Sequence, residues 1–270
     1  MSEIIIHIGL HKTGTTFLQN RIFPLFNDIS IIRAWYSHRK IIEMSLNEKI
    51  LISDEGISGD PWKTNYFEQF KHNILNVKRI YGNVKIIVGF RKHSEFVLSL
   101  YKQYLHQKGT KDFSFFFNKS NNGILKHEEL FFKQRLEMLQ NYFNNVYVYT
   151  QEDLNSDILY FTKGLADFLD VTYEEKKINK LKSIKENKGV YTEFQVRTLR
   201  QLNKLNKSSL FPNLYSNELK KYSLTPRQVC QNRLNNIKSN PYKLSEELLV
   251  FINEKYRQDW DYILKNKESK

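Results

Sequence analysis

The stretch Ile4-Ile5-Ile6-His7-Ile8-Gly9-Leu10-His11-Lys12-Thr13-Gly14-Thr15-Thr16 decides how the chain is read. Its first half is a short β-branched run, the composition of a strand buried on both faces of a parallel sheet. Its second half leads into Phe17, Leu18 and Ile22, an apolar stripe that predicts a helix from Thr15 to about Phe26, disturbed by Pro24. Strand, glycine loop and helix in this order make an anion site, because backbone N–H groups and the helix dipole meet at the loop. Gly14 lets a phosphate approach the backbone, Thr15 and Thr16 add hydroxyl donors, and Lys12 adds a mobile charge. The spacing of Gly9 and Gly14 matches a nucleotide kinase loop, but there the lysine directly follows the second glycine. Here Thr15 stands in that place and the lysine lies two residues before Gly14. The loop is built for phosphate, though not in the kinase manner.

Outward from this stretch, apolar runs alternate with helical patterns. Lys49–Ser53 reads as a second strand, followed by the polar Asp54-Glu55-Gly56. A helix is expected from Tyr66 to Tyr81 with Gly82 closing it, then a strand over Val84–Phe90 and a helix from Ser94 to Gln107. A helix over 128–143, a strand over Asn145–Thr150 and a helix over 156–169 follow. Strand and helix in alternation argue for an α/β fold: a P-loop-like parallel sheet flanked by helices. From residue 171 onward the pattern becomes helical and Lys-rich, with helices over 192–206, 216–222, 226–237 and 244–265. No linker or repeat interrupts it, so the sequence predicts a single domain over 1–270, an α/β core to residue 170 with a helical C-terminal part over 171–270.

Composition narrows the function classes. A hydrophobic content of 40% is too high for a disordered chain. The one cysteine, Cys230, excludes a disulfide framework within the chain and any clustered thiolate metal site. No His/Asp/Glu group has metal-ligand spacing, so no metal is expected. No apolar stretch reaches the roughly 18 residues of a membrane span, and the run from Ile4 to Ile8 is too short for a signal peptide. A soluble, cytoplasmic protein is the expectation. The net charge of +13 favours anionic partners, but no nucleic-acid recognition pattern accompanies it. Charge alone leaves room for a non-catalytic polyanion binder.

A second chemical signature runs from Val88-Gly89-Phe90-Arg91 through His93 to Ser99 and Tyr101. A guanidinium at a strand end and a hydroxyl on the next helix both suit a phosphate. Together with the first stretch, this segment resembles the PAPS-dependent sulfotransferases, in particular their bacterial and carbohydrate branches. His7–Gln19 is similar to the family's 5′-phosphosulfate loop. Arg91 and Ser99 are similar to its 3′-phosphate pair, with His93 where the family has proline. Val148–Leu154 with Leu165–Leu169 resembles a third family stretch, in which Gln151 and Asp170 replace a tyrosine and a glycine. Glu186-Asn187-Lys188-Gly189 is similar to the loop that closes over the nucleotide. The likeness spans about residues 4–190 in the family's order.

The resemblance implies a donor, PAPS (3′-phosphoadenosine 5′-phosphosulfate), and no metal. It assigns the donor's 5′-phosphosulfate to Lys12, Thr13, Gly14, Thr15 and Thr16, and its 3′-phosphate to Arg91 and Ser99. Lys12 would stabilise the leaving group. Sulfuryl transfer also needs a base for the acceptor hydroxyl or amine. Glu55 follows the second strand at the sheet edge where such folds bind ligands, and is the preferred candidate. Its neighbour Asp54 and the histidines His11 and His106 are the rivals. Trp35, Tyr36, Trp62, Tyr66, Tyr101 and Tyr104 are candidates to stack on an adenine or a sugar, or simply core and rim. The family branch points to a carbohydrate or glycoconjugate acceptor. The competing readings are a P-loop kinase or NTPase and the polyanion binder.

Overall fold

The computed structural model describes residues 3–33, 49–183, 192–208, 213–234 and 237–268. Five strands, β1 (Ile4–Gly9), β2 (Ile29–Ile32), β3 (Lys49–Ser53), β4 (Lys85–Phe90) and β5 (Val146–Thr150), form one sheet in the order β2-β3-β1-β4-β5. Every pairing is parallel. The β-branched run read as a buried strand is therefore the central one: Ile6 pairs with Ile52 on one side and with Ile86 on the other. Parallel pairing puts the ends of β1, β3, β4 and β5 along one edge, where the loops that follow them lie together.

The helical run after β1 is less regular than its pattern predicts. A single turn, α1 (Thr15–Phe17), passes into a π-helical turn over Leu18–Ile22 and a 3-10 turn over Phe23–Leu25. Pro24 sits in that last turn, and Phe26 is already extended. Helix α2 (Tyr66–Tyr81) has the expected bounds, with Gly82 at φ 72° donating its N–H to Lys78 C=O. Then come α3 (His93–His106), α4 (Phe113–Phe116), α5 (Lys133–Tyr142), α6 (Gln151–Ser156), α7 (Ile158–Leu169) and α8 (Glu175–Asn179). The Lys-rich part holds α9 (Glu193–Lys207), α10 (Asn217–Lys221), α11 (Pro226–Asn232), α12 (Glu246–Lys255) and α13 (Arg257–Glu268). The expected helix over 244–265 is thus two helices, with Tyr256 at the break.

The described chain falls into two compact units. One unit gathers Met1–His93, Leu125–Glu186 and Glu254–Lys270; the other gathers Ser94–Ile124 and Asn187–Asn253. The first holds the sheet. On one face Ile5, Leu51 and Ile87 pack with Leu18, Ile22 and Phe23 of the run after β1 and with Leu165 and Leu169 of α7. Each such side chain contributes roughly 1.5–3 kcal/mol of gross burial. In the second unit Tyr101 is fully buried among Phe113 and Phe116, while Asn203 donates to the carbonyls of Leu105 and Gly109 at 2.8 and 2.7 Å.

A capping contact of long range fixes the start of α5. The Asp259 carboxylate of α13 accepts the N–H groups of Phe132 and Lys133, both at 2.9 Å. Its Oδ2 also lies 3.0 Å from Nε2 of His93, a ring stacked between Phe132 and Tyr256. His93 thus joins β4's exit to the C-terminal helix of the same unit.

Gly89 tests the packing of the sheet. A Cβ placed there would lie 2.2 Å from the ring of Tyr149, so any larger residue displaces that ring. Gly89→Ala is expected to cost about 1–3 kcal/mol through overpacking, read as a lower urea midpoint at unchanged slope. An unchanged midpoint would mean that the ring moves freely.

Candidate functional site

Beneath the loop after β1 lies a buried polar chain. His7 is fully buried on the central strand. Its Nδ1 is 2.7 Å from Ser53 Oγ on β3, and its Nε2 is 3.0 Å from the Tyr149 hydroxyl on β5. Gln19 Nε2 donates to Ser53 Oγ at 3.0 Å, and Thr13 Oγ1 donates to the carbonyl of Leu10 at 2.6 Å. Thr13 also interacts with the Tyr149 hydroxyl. Each ring nitrogen of His7 thus has one partner, on strands to either side of β1. Burial pushes the His7 imidazole down to about 3 and pushes the Tyr149 phenol up.

On this support sits the loop itself. Lys12 has φ 66° and Gly14 φ 90°. A left-handed lysine is uncommon and costs about 1–2 kcal/mol unless its surroundings hold it. Arg91 supplies part of that hold, donating from Nη1 to the Lys12 carbonyl at 3.2 Å. At Gly14 a Cβ would come within 2.6 Å of Leu154 Cδ2 and 2.9 Å of Gln151 Oε1, so α6 closes against the loop from below. Gln151 is therefore a packing neighbour of the loop. No side chain caps the helix turn that opens at Thr15. Thr15 is buried, and its hydroxyl has no hydrogen-bond partner among the described residues. A loop closed from below, an uncapped helix start and an orphaned hydroxyl fit a bound oxyanion.

The two carboxylates after β3 separate cleanly. Asp54 caps the 3-10 turn Glu55–Ser58, its Oδ1 accepting the Gly56 N–H at 2.7 Å. Glu55 is free of that duty, about one-third exposed, with Oε2 3.7 Å from Nδ1 of His11. His11 points its Nε2 at the Gly59 carbonyl, 2.9 Å away, and a carbonyl can only accept, so Nε2 carries the proton. Nδ1 then faces the carboxylate. The gap is too long for a hydrogen bond.

Arg91 and Ser99 fall in different units. Arg91 leaves β4 in the first, and Ser99 lies half-buried on the part of α3 that belongs to the second, as does His106 in its last turn. Among the aromatic candidates Tyr66 and Tyr101 are buried core and Trp62 and Tyr104 half-buried, while Trp35 and Tyr36 lie outside the described residues. The stretch Glu186–Gly189 also lies outside them. Among the described residues no group of three His, Cys, Asp or Glu side chains could hold a metal ion, and no helix is long and apolar enough to cross a membrane. Sequence reasoning missed the polar roles of His7, Ser53, Tyr149 and Gln19. The one available signal was a histidine and a serine inside runs otherwise apolar.

No family model and no curated protein matches the chain. Among solved structures it is similar to a sulfotransferase from Alicyclobacillus acidocaldarius, at 13% identity and a TM-score of 0.49, over 69% of this chain and 87% of that one. It is also similar to the mouse sulfotransferase SULT7A1 complexed with PAP, at 16% identity and a TM-score of 0.44, over 67% of this chain and 62% of that one.

The buried imidazole makes stability depend on pH. Below about pH 6.5 the unfolded chain binds a proton that native His7 refuses, so stability falls as pH drops from 6.5 toward 3. The slope is at most about 1.4 kcal/mol per pH unit. Burial lowers His93 as well, partly offset by Asp259, and adds in the same direction. His7→Asn should be less stable at pH 7 yet lose less between pH 6.5 and 4.5, measured by urea melts. Parallel losses in both proteins would show that His7 is not the group responsible.

Proposed function

We propose that this chain is a sulfotransferase that takes PAPS as donor and sulfates a hydroxyl or amine, most simply of a carbohydrate or glycoconjugate, in the cytoplasm. The observation that carries the reading is the loop over Lys12–Thr16, whose lysine precedes Gly14 in a left-handed conformation held by Arg91. A kinase would need the lysine where Thr15 stands, and Thr15 is buried beside Gly9, with no room for a long side chain.

The donor supplies an activated sulfuryl group on a phosphate leaving group. The residues that would hold it are Lys12, Thr13, Gly14, Thr15 and Thr16 at the 5′ end, with Arg91 and Ser99 for the 3′-phosphate. Lys12 brings a positive charge to an oxygen that gains negative charge as the bond to sulfur loosens, a contribution that grows toward the transition state. Arg91 acts on the loop as well as on anions, because its Nη1 already fixes the Lys12 carbonyl. Glu55 accepts the acceptor's proton, which frees a lone pair on the attacking oxygen or nitrogen. His11 is a positioning residue: anchored on Gly59, it presents Nδ1 to Glu55 and limits where the carboxylate can turn.

Calorimetric titration with adenosine 3′,5′-bisphosphate against ADP and ATP, with and without magnesium, tests the donor site. Binding should be independent of magnesium, require the 3′-phosphate and weaken at least tenfold in Arg91→Ala. Preference for ATP with magnesium, or no nucleotide binding, would overturn the proposal. Once screening with labelled sulfuryl donor yields an acceptor, Glu55→Gln should lower kcat by about 10²–10⁴-fold with bisphosphate affinity unchanged. Retained kcat in that variant would move the base to another residue.

A further inference from the structure

The second unit contains a hollow of about 680 Å³, within the range that encloses a small ligand, walled by residues 110–122 and by α9. Three cations line it: Lys111, Arg200 and Lys204. The single carboxylate in the wall, Asp112, is occupied as the cap of α4. Its Oδ1 accepts the Phe115 N–H at 3.1 Å and the Ser114 hydroxyl at 2.9 Å. These hydrogen bonds, with the charges of Arg200 and Lys204, hold that carboxyl below its ordinary range. The wall therefore carries a net positive charge of two at neutral pH.

Two of the cation-bearing residues are tied to one buried tyrosine. Tyr101, fully buried, donates its hydroxyl proton to the Lys111 carbonyl at 3.2 Å and receives a hydrogen bond from the Arg200 guanidinium. Lys111 Nζ stands 4.7 Å from the centre of the Phe115 ring, and that ring, 52% exposed, is one of the large apolar side chains left open to solvent. The amides of Asn118 and Asn122 complete the wall. A half-exposed aromatic ring, several cations and neutral amides in one hollow answer the three parts of an acidic sugar: its C–H face, its anionic group and its hydroxyls. A nucleic-acid strand would instead call for a basic track with successive stacking rings, and the hollow offers one ring.

We infer that this hollow is a binding site for an acidic oligosaccharide, a short glycan bearing carboxylate or sulfate groups. Arg200 and Lys204 take the anionic groups, and a sugar ring lies on Phe115. The transferase reading gives a reason for a glycan to visit, but the binding stands on the hollow alone and needs no turnover.

The test uses the full chain and titration calorimetry with tetragalacturonate, a sulfated tetrasaccharide, neutral cellotetraose and hexathymidylate at one ionic strength. At least one anionic tetrasaccharide should bind, and cellotetraose should not. Lys204→Ala and Phe115→Ala, both surface changes outside the donor site, should each weaken that binding about tenfold while adenosine 3′,5′-bisphosphate binds as before. A tetragalacturonate-only or sulfate-only response identifies which acid the site takes and supports the inference. Equal binding of hexathymidylate, no binding of either acidic sugar, or full affinity in both variants would overturn it. Loss of bisphosphate binding in the unmodified chain would sink the transferase reading and leave this result standing.

Discussion

A neutral imidazole at the centre of a parallel sheet is the constraint around which the first unit is arranged. His7 occupies a position that hydrophobic packing alone would give to isoleucine or valine, and an unpaired polar ring there would cost several kcal/mol. The cost is offset because both nitrogens are matched from strands to either side, by Ser53 on β3 and Tyr149 on β5. The chain continues through Thr13 to Leu10, so the conformation of the loop is coupled to strands on both sides of β1. Space for Tyr149 comes from the bare backbone of Gly89, one strand away. The loop is thus positioned by a set of side chains that never reach its surface.

The division of labour between Asp54 and Glu55 follows from the same economy of backbone groups. A 3-10 turn after β3 needs an acceptor for its first N–H groups, and the short Asp54 side chain reaches Gly56 where a longer one would overshoot. Its neighbour is left to face His11. The two acids differ because Asp54 stands at the N-cap and Glu55 already lies inside the turn.

Much of this was legible in the sequence. Apolar β-branched runs marked four of the five strands, and the spacing from Tyr66 to Gly82 gave α2 to the residue. The glycine, threonine and lysine pattern located the loop. What the sequence concealed depends on partners distant along the chain. Strand β2 is four residues at a sheet edge, too short for its alternation to stand out, and only its pairing with β3 defines it. The start of α5 is fixed by Asp259, and no local capping signal exists at Phe132 to disclose it. The candidate pair His11 and Glu55 comes together only because β1 and β3 are neighbours. Likewise nothing around Arg91 foretells its bond to the Lys12 carbonyl.

The non-contiguous make-up of the first unit has a consequence for the order in which the protein can take shape as it is synthesised. The sheet is complete once β5 has been made, yet Asp259, which caps α5 and pairs with His93, is translated only after the whole of residues 187–253. Until then the aromatic bed around His93 lacks Tyr256 and Trp260, and the first turn of α5 has unpaired N–H groups. A nascent chain paused before α13 would carry a formed sheet with an open apolar flank, a species for a chaperone to shield. Helix α13 works as a latch on a part of the unit made well before it.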